Sequence, residues 1–266
     1  MTNCITLPLW LDDLIFKTFK ARCCHQYSDM TNIDDDKEKT LNYLGTYFPR
    51  SYAESYCIFS EYFETHKSAY TCKDELSIFD FGSGTGGEII GLLTALSELF
   101  PNIQNVSILA LDGNQHALRL YEKILNKFQG KVNIQINNRT SAVKIDDFYD
   151  LSLIDSIVTE KFDLIVSFKA ICEFVTKQQF EQNNPYSHIA SFLIPKLKYD
   201  GILFLEDITT RNDVSQEWLP KMMDNGLSNL KCTLIGKNEG YNQTYYITHS
   251  HKQKDKSNVA WRMIKR

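Results

Sequence analysis

The chain contains no C-x-x-C pair, and its seven cysteines are odd in number and scattered: Cys4, Cys23, Cys24, Cys57, Cys72, Cys172 and Cys232. This pattern argues against a disulfide framework and against a zinc cluster, so we expect a reduced, cytoplasmic environment. The chain also lacks the run of about 18 apolar residues that a membrane span requires. Because Asp12 and Asp13 interrupt the first apolar segment, the sequence predicts no signal peptide.

Charge of one sign is not in large excess either. The net charge of -4 gives no global attraction to nucleic acid. With 266 residues, of which 43% are hydrophobic, the chain can bury a substantial core, and it is long enough for one α/β domain with an added segment. We therefore expect residues 1–70 to form an N-terminal helical segment, either a lid or a packing layer, and residues 71–266 to form the main domain.

The most informative segment is the glycine-rich run from Asp80 to Gly87, which lies between a short apolar run and a helix-like apolar run. This order of strand, glycine turn and helix is typical of a nucleotide-cofactor site. Glycines let the backbone approach the ligand and adopt positive φ values that other residues resist. The spacing of Gly82, Gly84 and Gly87 also fits the dinucleotide fingerprint, so the turn alone leaves the cofactor open.

The acid before the turn helps to choose between the cofactors. Asp80 ends the strand where its carboxylate would repel a pyrophosphate but would suit an aminoacyl ligand. Here the chain resembles the class I S-adenosylmethionine-dependent methyltransferases, whose first motif is an acid followed by G-x-G-x-G. The resemblance implies S-adenosylmethionine as the cofactor and assigns its binding to this motif: Asp80, Gly82, Ser83, Gly84 and Gly86.

A second acid follows the next predicted strand. Residues 106–111 are of the buried type and end at Asp112, whose carboxylate is placed to accept hydrogen bonds from both ribose hydroxyls, with Gly113 beside it. The structural alternative is that Asp112 caps the following helix, and Asn114 is the rival cap. Both assignments stay open at this point.

The remaining pattern predicts a doubly wound α/β fold, with a seven-stranded, Rossmann-like, mostly parallel sheet, an antiparallel C-terminal hairpin and N-terminal helices. The strands are expected within residues 78–81, 106–111, 132–136, 162–168, 202–205, 232–235, 244–248 and 259–264. Ligands of open α/β sheets bind beyond the carboxyl ends of the strands. Ser167 and Phe168 therefore join the predicted cofactor contacts, and Glu173 and Glu206 are the candidate catalytic bases.

Two helices are expected before the glycine turn. One runs from Pro8 to about Arg22. The other begins at Ser51, where Ser51 to Glu54 match a capping box, and runs to about His66. Its aromatic residues indicate core packing, and the functional alternative is a lid formed by Arg50, Tyr52 and Tyr56. Further on, Asn184 is expected to cap a helix with Pro185 in its first turn.

The C-terminal hairpin and tail are basic, with Asp255 the one acid among eight residues that are positive or can become so: His249, His251, Lys252, Lys254, Lys256, Arg262, Lys265 and Arg266. This charge is suited to contact with RNA phosphates, although such charge also serves solubility. Because the pattern shows no cysteine or carboxylate that would complete a site with the two histidines, the sequence predicts no metal.

A narrower resemblance is to the methyltransferase-like family associated with small-subunit ribosome assembly. It is carried by Tyr43–Leu44, by residues 49–53, by the glycine motif and by residues 171–174. The resemblance spans roughly the middle two-thirds of the chain and implies a ribosome- or RNA-associated role. The cysteine-rich cluster that holds an iron–sulfur centre in some members has no counterpart here, so that metal site is not carried over.

Three functions follow from these observations. The first is methyl transfer to an oxygen or nitrogen nucleophile of an unidentified small molecule, protein or RNA. The second is a non-catalytic S-adenosylmethionine-binding protein that acts in assembly or regulation, and the third is an NAD-dependent oxidoreductase.

Overall fold

The computed structural model describes residues 3–24, 36–145, 147–172, 183–212 and 215–266, together with the backbone of residues 173 and 174. The helices in this part of the chain are α1 (Leu9–Asp12), which continues as a π-helix (Asp13–Thr18), α2 (Lys37–Thr65), α3 (Gly87–Leu99), α4 (Gln115–Gln129), α5 (Ser152–Ile157), α6 (Ile171–Phe174), α7 (Pro185–Leu193) and α8 (Leu219–Ser228). The strands are β1 (Cys4–Thr6), β2 (Glu75–Phe81), β3 (Asn105–Asp112), β4 (Gln135–Ala142), β5 (Phe162–Phe168), β6 (Leu197–Ile208), β7 (Thr233–Lys237), β8 (Gln243–His249) and β9 (Lys252–Lys265).

The strands are hydrogen-bonded in the order β1-β8-β9-β6-β5-β2-β3-β4, and β7 pairs with β9 beside this path. The pairs β2/β5, β5/β6, β3/β4 and β1/β8 are parallel. Strand β9 is antiparallel to β6 and to β7. The predicted α/β class, with a mostly parallel sheet and an antiparallel C-terminal hairpin, is confirmed. The described residues form nine strands where a seven-stranded sheet was expected. Eight of them overlap the predicted segments, and β1 is a strand that the sequence pattern did not predict.

The chain divides into two compact units. The first consists of Met1–Leu76, Ser83–Ala142 and Thr244–Ser257. Its core includes the buried faces of α2, α3 and α4. The second consists of Ser77–Gly82, Val143–Gln243 and Asn258–Arg266. It is built around β5, in which all seven residues are buried, as expected for a parallel strand covered on both faces. No helix in the described part of the chain is both long and apolar enough to span a membrane.

Helix α2 is longer than predicted. It begins at Lys37, and the carboxylate of its N-cap Asp36 accepts hydrogen bonds from the backbone N–H groups of Glu38 (2.8 Å) and Lys39 (3.0 Å). It continues without a break to Thr65 and includes Pro49. The predicted helix start at Ser51 is therefore wrong, and Ser51 is a buried residue in the middle of the helix.

Close packing against α3 explains why α2 continues past Pro49. A Cβ atom on Gly87 would lie 2.5 Å from the backbone oxygen of Phe48, and one on Gly91 would lie 2.5 Å from that of Tyr52. The two glycines are one helical turn apart, so they form a flat face on which the backbone of α2 rests. The hydroxyl of Ser55 also donates a hydrogen bond to the backbone oxygen of Glu88 (2.6 Å). These contacts outweigh the local tendency of proline to end a helix.

Two further elements differ from the sequence prediction. The first helix ends at Thr18 rather than near Arg22, because Lys20 adopts a φ of +58° that cannot continue a right-handed helix. Strand β4 begins at Gln135 and extends through polar residues to Ala142, beyond the predicted 132–136. It is the last strand in the order and pairs with β3 alone in the described sheet, so it needs less apolar surface than a central strand.

The start of α7 agrees with its prediction. Asn184 is the N-cap, its side-chain oxygen accepts hydrogen bonds from the N–H groups of Tyr186 and Ser187, and Pro185 occupies the first turn. The amide nitrogen of Asn184 donates to the backbone oxygen of Met222 in α8 (2.7 Å). One side chain thus caps α7 and fixes its position against α8.

We expect Asn184→Ala to lower the free energy of unfolding by about 1–2 kcal/mol, because a cap is lost and the Met222 carbonyl loses its donor. Asn183→Ala is the control, since Asn183 is exposed and should change stability by no more than about 0.5 kcal/mol. Chemical denaturation of both variants measures the difference, and equal losses would contradict the assigned cap.

Candidate functional site

The turn after β2 adopts the backbone that its glycines allow. Gly82, Gly84 and Gly86 have φ values of +75°, +46° and +82°. The N–H of Gly86 donates to the backbone oxygen of Ser83 (2.9 Å), and the N–H of Ser83 donates to that of Leu111 in β3 (2.9 Å). The turn is therefore a defined structure attached to the end of the neighbouring strand.

Asp112 holds this turn from the end of β3. One carboxylate oxygen accepts a hydrogen bond from the N–H of Gly84, and the other accepts one from the N–H of Asn114, each at 2.7 Å. Burial raises the pKa of Asp112 above its ordinary value, and the two N–H groups oppose that shift. Each oxygen still has a lone pair available for a ligand hydroxyl.

The choice between the two possible caps of α4 is resolved in favour of Asn114. Its side-chain oxygen accepts hydrogen bonds from the N–H groups of His116 (2.8 Å) and Ala117 (3.1 Å). Its amide nitrogen donates to the hydroxyl of Thr40 in α2 (3.0 Å). Asp112 is therefore not needed as the helix cap, which leaves its carboxylate for the turn and for a ligand. Gly113 lies between the two residues.

Tyr43 of α2 lies over the glycine turn, a contact that the sequence did not predict. A Cβ atom on Gly84 would lie 3.5 Å from its ring, which packs in turn against the ring of Tyr47 at 4.8 Å between centroids. The aromatic spacing of Tyr43 and Tyr47, one helical turn apart, was the available signal.

The residues proposed from the sequence as a lid have other partners. Arg50 forms an ion pair with Asp255, and Tyr52 is buried. The hydroxyl of Tyr56 donates to Glu98 at 2.8 Å.

Asp80 is the next-to-last residue of β2, its side chain is fully buried, and in the sheet register it pairs with Val166 of β5. Ser167 follows Val166 at the same end of β5. Its hydroxyl is buried and has no hydrogen-bond partner among the described residues. The hydroxyl of Ser83, in the glycine turn, is likewise buried and without a partner in the described part of the chain. An unsatisfied buried hydroxyl costs about 1–3 kcal/mol, and a bound ligand would remove that cost.

The two candidate bases are Glu206 in β6 and Glu173 in α6. Glu206 is buried, and the ammonium of Lys169 lies 4.0 Å from its carboxylate. The N–H of Lys169 also donates to the backbone oxygen of Glu206 (2.9 Å). Glu173 is in α6, but its side chain lies outside the described part of the structure. Phe168 is a core residue, with its ring 4.8 Å from that of Phe204.

The acid after Glu206 is also engaged. The hydroxyl of Tyr186 donates to the carboxylate of Asp207 at 2.8 Å. Burial raises the pKa of Asp207, and burial together with this carboxylate raises the pKa of Tyr186 well above its ordinary value. Both shifts favour the neutral, protonated form of these side chains.

The basic hairpin carries less free charge than its sequence suggests. Arg262 is buried and forms a two-point ion pair with Asp224. Lys265 pairs with Asp200 at 2.8 Å, and Lys252 pairs with Asp255 at 2.6 Å.

The expectation that neither a cysteine nor a carboxylate accompanies the histidines does not hold, because Cys23 and Asp255 lie beside His249.

No protein-family model matches this chain, and no curated protein matches it. Solved structures that it resembles include a precorrin-6y C5,15-methyltransferase from Geobacter metallireducens, with 16% identity, coverage of 80% of this chain and 87% of the other, and a TM-score of 0.42. A ribosomal protein L11 methylase from Lactobacillus delbrueckii subsp. bulgaricus has 16% identity, coverage of 80% and 77%, and a TM-score of 0.44. A putative RNA methyltransferase from Pyrococcus horikoshii has 11% identity, coverage of 80% and 85%, and a TM-score of 0.44. At these values the activity of the chain has to be argued from its own residues.

We expect Gly86→Ala to lower the free energy of unfolding by at least about 3 kcal/mol. Its Cβ would combine a left-handed backbone with a position 2.3 Å from the ring of the buried Tyr121. Gly240→Ala is the matched control, because Gly240 has a φ of +65° with nothing within 4 Å of the new Cβ, so the cost should be about 1 kcal/mol. Urea denaturation measures both, and a Gly86→Ala loss no larger than the control would contradict the packing of this turn.

Proposed function

We propose that this protein binds S-adenosylmethionine at the glycine turn and transfers its methyl group to an oxygen or nitrogen atom of an acceptor. The observation that carries the proposal is the hydrogen bond from the N–H of Gly84 to Asp112. It places a left-handed glycine turn and a strand-end carboxylate next to each other, and this is the arrangement that an adenosyl ligand requires.

The residues present suit the two ends of the ligand. The methionine end carries an ammonium, which Asp80 and the turn residues Gly82, Ser83, Gly84 and Gly86 would hold. The ribose carries two hydroxyls, and the carboxylate of Asp112 would accept a hydrogen bond from each, with Gly113 beside it. The unsatisfied hydroxyl of Ser83 supports a polar ligand over the turn, and that of Ser167 supports one at the end of β5. Phe168, whose ring packs against that of Phe204, would contact the ligand beside Ser167 as an apolar residue.

The acid at Asp80 favours an aminoacyl ligand over a dinucleotide. Its buried carboxylate lies at the strand end that leads directly into the turn, where NAD would place a pyrophosphate of the same charge. Removal of an ionised carboxylate from water is costly, so a cationic ligand group there lowers the free energy of the site.

S-adenosylmethionine, when bound, supplies an electrophilic methyl group on a positively charged sulfur. The work left to the protein is to hold the acceptor in line with that methyl group and to exclude water. A base is useful only for an acceptor that must lose a proton, and Glu206 and Glu173 are the proposed residues. Glu206 would first have to exchange its interaction with Lys169 for one with the acceptor.

A second candidate function is supported by the interaction between Glu206 and Lys169. The described acids at the end of β6 are engaged internally, Glu206 with Lys169 and Asp207 with Tyr186. This arrangement favours a protein that binds S-adenosylmethionine without catalysis, in assembly or regulation. An RNA partner would contact the hairpin through the exposed Lys254 and Lys256 rather than through the buried Arg262.

We expect Gly84→Ala to separate ligand binding from stability. Its Cβ would make only an ordinary contact with Tyr43 at 3.5 Å, so the loss of stability should match that of Gly240→Ala, about 1 kcal/mol. The same Cβ would occupy the surface over which the ligand lies, so affinity for S-adenosylhomocysteine should fall at least about tenfold. Calorimetry that shows unchanged affinity would remove the turn from the ligand site.

The role of Asp112 is tested by changing the protein and the ligand together. We expect the 2′-deoxy analogue of S-adenosylhomocysteine to bind wild-type protein about 1–3 kcal/mol more weakly than the parent ligand. In Asp112→Ala the difference between the two ligands should largely disappear, because the acceptor for that hydroxyl is removed. If the deoxy penalty is the same in both proteins, Asp112 does not contact the ribose, whatever it does for the turn.

Turnover needs its own experiment. Purified protein with S-adenosylmethionine labelled in the methyl group is incubated with cell lysate divided into RNA, protein and small-molecule fractions. Label in one fraction would identify the acceptor class, and at limiting S-adenosylmethionine Gly84→Ala should lower it in proportion to the loss of affinity. Tight binding without label in any fraction would favour the non-catalytic candidate.

A further inference from the structure

A cluster of three potential metal ligands lies in the first unit, away from the glycine turn in sequence. Cys23 follows the first helical segment, His249 ends β8, and Asp255 lies in β9. The thiol sulfur, a ring nitrogen and a carboxylate oxygen of these residues are all within 4.8 Å of one another. The cysteine is more than 200 residues from the other two, so no local sequence pattern could have indicated the cluster.

The buried imidazole of His249 lies beside Asp255, whose carboxylate is 3.8 Å from Nε2, beyond hydrogen-bond distance. Its side chain is fully inaccessible, and neither ring nitrogen has a hydrogen-bond partner among the described residues. The ring of Phe16 stacks on it at 5.1 Å between centroids and 11° between planes. Such stacking fixes the orientation of the ring but does not satisfy its nitrogens. A buried polar group without a partner is costly, so a further ligand is expected here.

The two oxygens of Asp255 are not equivalent. Oδ1 accepts hydrogen bonds from Arg50 Nη2 (2.9 Å), from the ammonium of Lys252 (2.6 Å) and from the N–H of Lys256 (2.9 Å). Oδ2 accepts one from Arg50 Nε (2.9 Å), and it faces His249 Nε2 at 3.8 Å, too far for a hydrogen bond. Oδ1 therefore accepts three hydrogen bonds, whereas Oδ2 accepts one and is the oxygen next to His249.

We propose that Cys23, His249 and Asp255 bind a zinc ion through the thiolate sulfur, the imidazole Nε2 and the carboxylate Oδ2. A sulfur, nitrogen and oxygen donor set is the one that Zn²⁺ takes in proteins, and three protein ligands leave a fourth position for water. In tetrahedral zinc sites the ligand atoms are about 3.3–3.6 Å apart, so distances of up to 4.8 Å must shorten by at most about 1.2–1.5 Å. Rotation about the Cα–Cβ bond of Cys23 moves its sulfur by that much.

The positive charges of Arg50 and Lys252 near Asp255 oppose the binding of a zinc ion. Burial raises the pKa of Cys23, and Asp255 adds to the effect, so zinc has to displace the thiol proton into solvent when it binds. The net charge of the cluster then rises by one, beside Arg50 and Lys252. The side chain of Lys252 is about half exposed (48%) and can turn into water when the metal binds. Removal of its charge should therefore strengthen zinc binding.

The chain offers matched controls for this site. Cys24 and His251 have the same chemistry as the proposed ligands and lie one and two residues away, but both are exposed. The proposal predicts that the wild-type protein, stripped with a chelator and titrated with ZnCl₂ in a calorimeter, binds one zinc ion per chain. Cys23→Ser and His249→Gln should weaken this binding by at least about tenfold, whereas Cys24→Ser and His251→Gln should leave it unchanged. Lys252→Ala should bind zinc more tightly than the wild type.

Replacement of zinc by Co²⁺ reports the ligands directly. A thiolate-to-cobalt charge-transfer band should appear in the wild type and in Cys24→Ser, and should be absent in Cys23→Ser. Circular dichroism shows whether the variant of the buried histidine is folded, and the half-buried Cys23 gives a decisive result even if that variant is not. Absence of zinc binding at micromolar concentration, or an unchanged affinity in Cys23→Ser, would overturn the proposal. Neither outcome depends on the binding of S-adenosylmethionine.

Discussion

The hydrogen bond between the N–H of Gly84 and the carboxylate of Asp112 is the constraint on which the rest of the site depends. The glycine turn has three left-handed residues, a backbone that costs little for glycine but has no intrinsic reason to keep one shape. Asp112 holds it through Gly84 and holds the start of α4 through Asn114. Hydrogen bonds to a charged group contribute about 1.5–3 kcal/mol each, so one side chain can define both segments.

Helix α2 adds a cover to this turn within the same unit. Thr40 meets the amide of Asn114, Tyr43 lies over Gly84, and the backbone at Phe48 and Tyr52 rests on α3. These contacts occur along one face of a single helix, so the position of Tyr43 is set by the packing of the whole helix. In the proposed function, Tyr43 is accordingly the aromatic residue that would close over the ligand, in place of the residues that sequence reasoning suggested.

Sequence reasoning succeeded where the signal was local. The strand, glycine turn and helix, the acid at the end of β3 and the cap at Asn184 each depend on residues within a few positions of one another. It failed at Ser51, where a capping box was outweighed by Gly87 and Gly91 of α3, some forty residues later. The sequence shows that the two glycines lie on one face of α3. It does not show which helix packs on that face, because the packing of two helices depends on residues far apart in the chain.

The cluster of Cys23, His249 and Asp255 also depends on residues far apart in the chain, so the sequence could not predict it. Its members come from the N-terminal segment and from the C-terminal hairpin, and the charge pattern of the hairpin suggested solvent or RNA instead. The structure turns Asp255 inward, where Arg50 and Lys252 neutralise it. The same fold removes Arg262 from the surface, so a count of basic residues overstates the charge that the hairpin can offer to a phosphate.

We propose that the turn held by Asp112 selects an adenosyl methyl donor. The most direct test is isothermal titration calorimetry of the wild-type protein with S-adenosylmethionine, S-adenosylhomocysteine and NAD under one set of conditions. We expect one binding site for each of the two adenosyl-sulfur ligands and no measurable binding of NAD, because the buried Asp80 disfavours a pyrophosphate. Binding of NAD without binding of either adenosyl-sulfur ligand would contradict it.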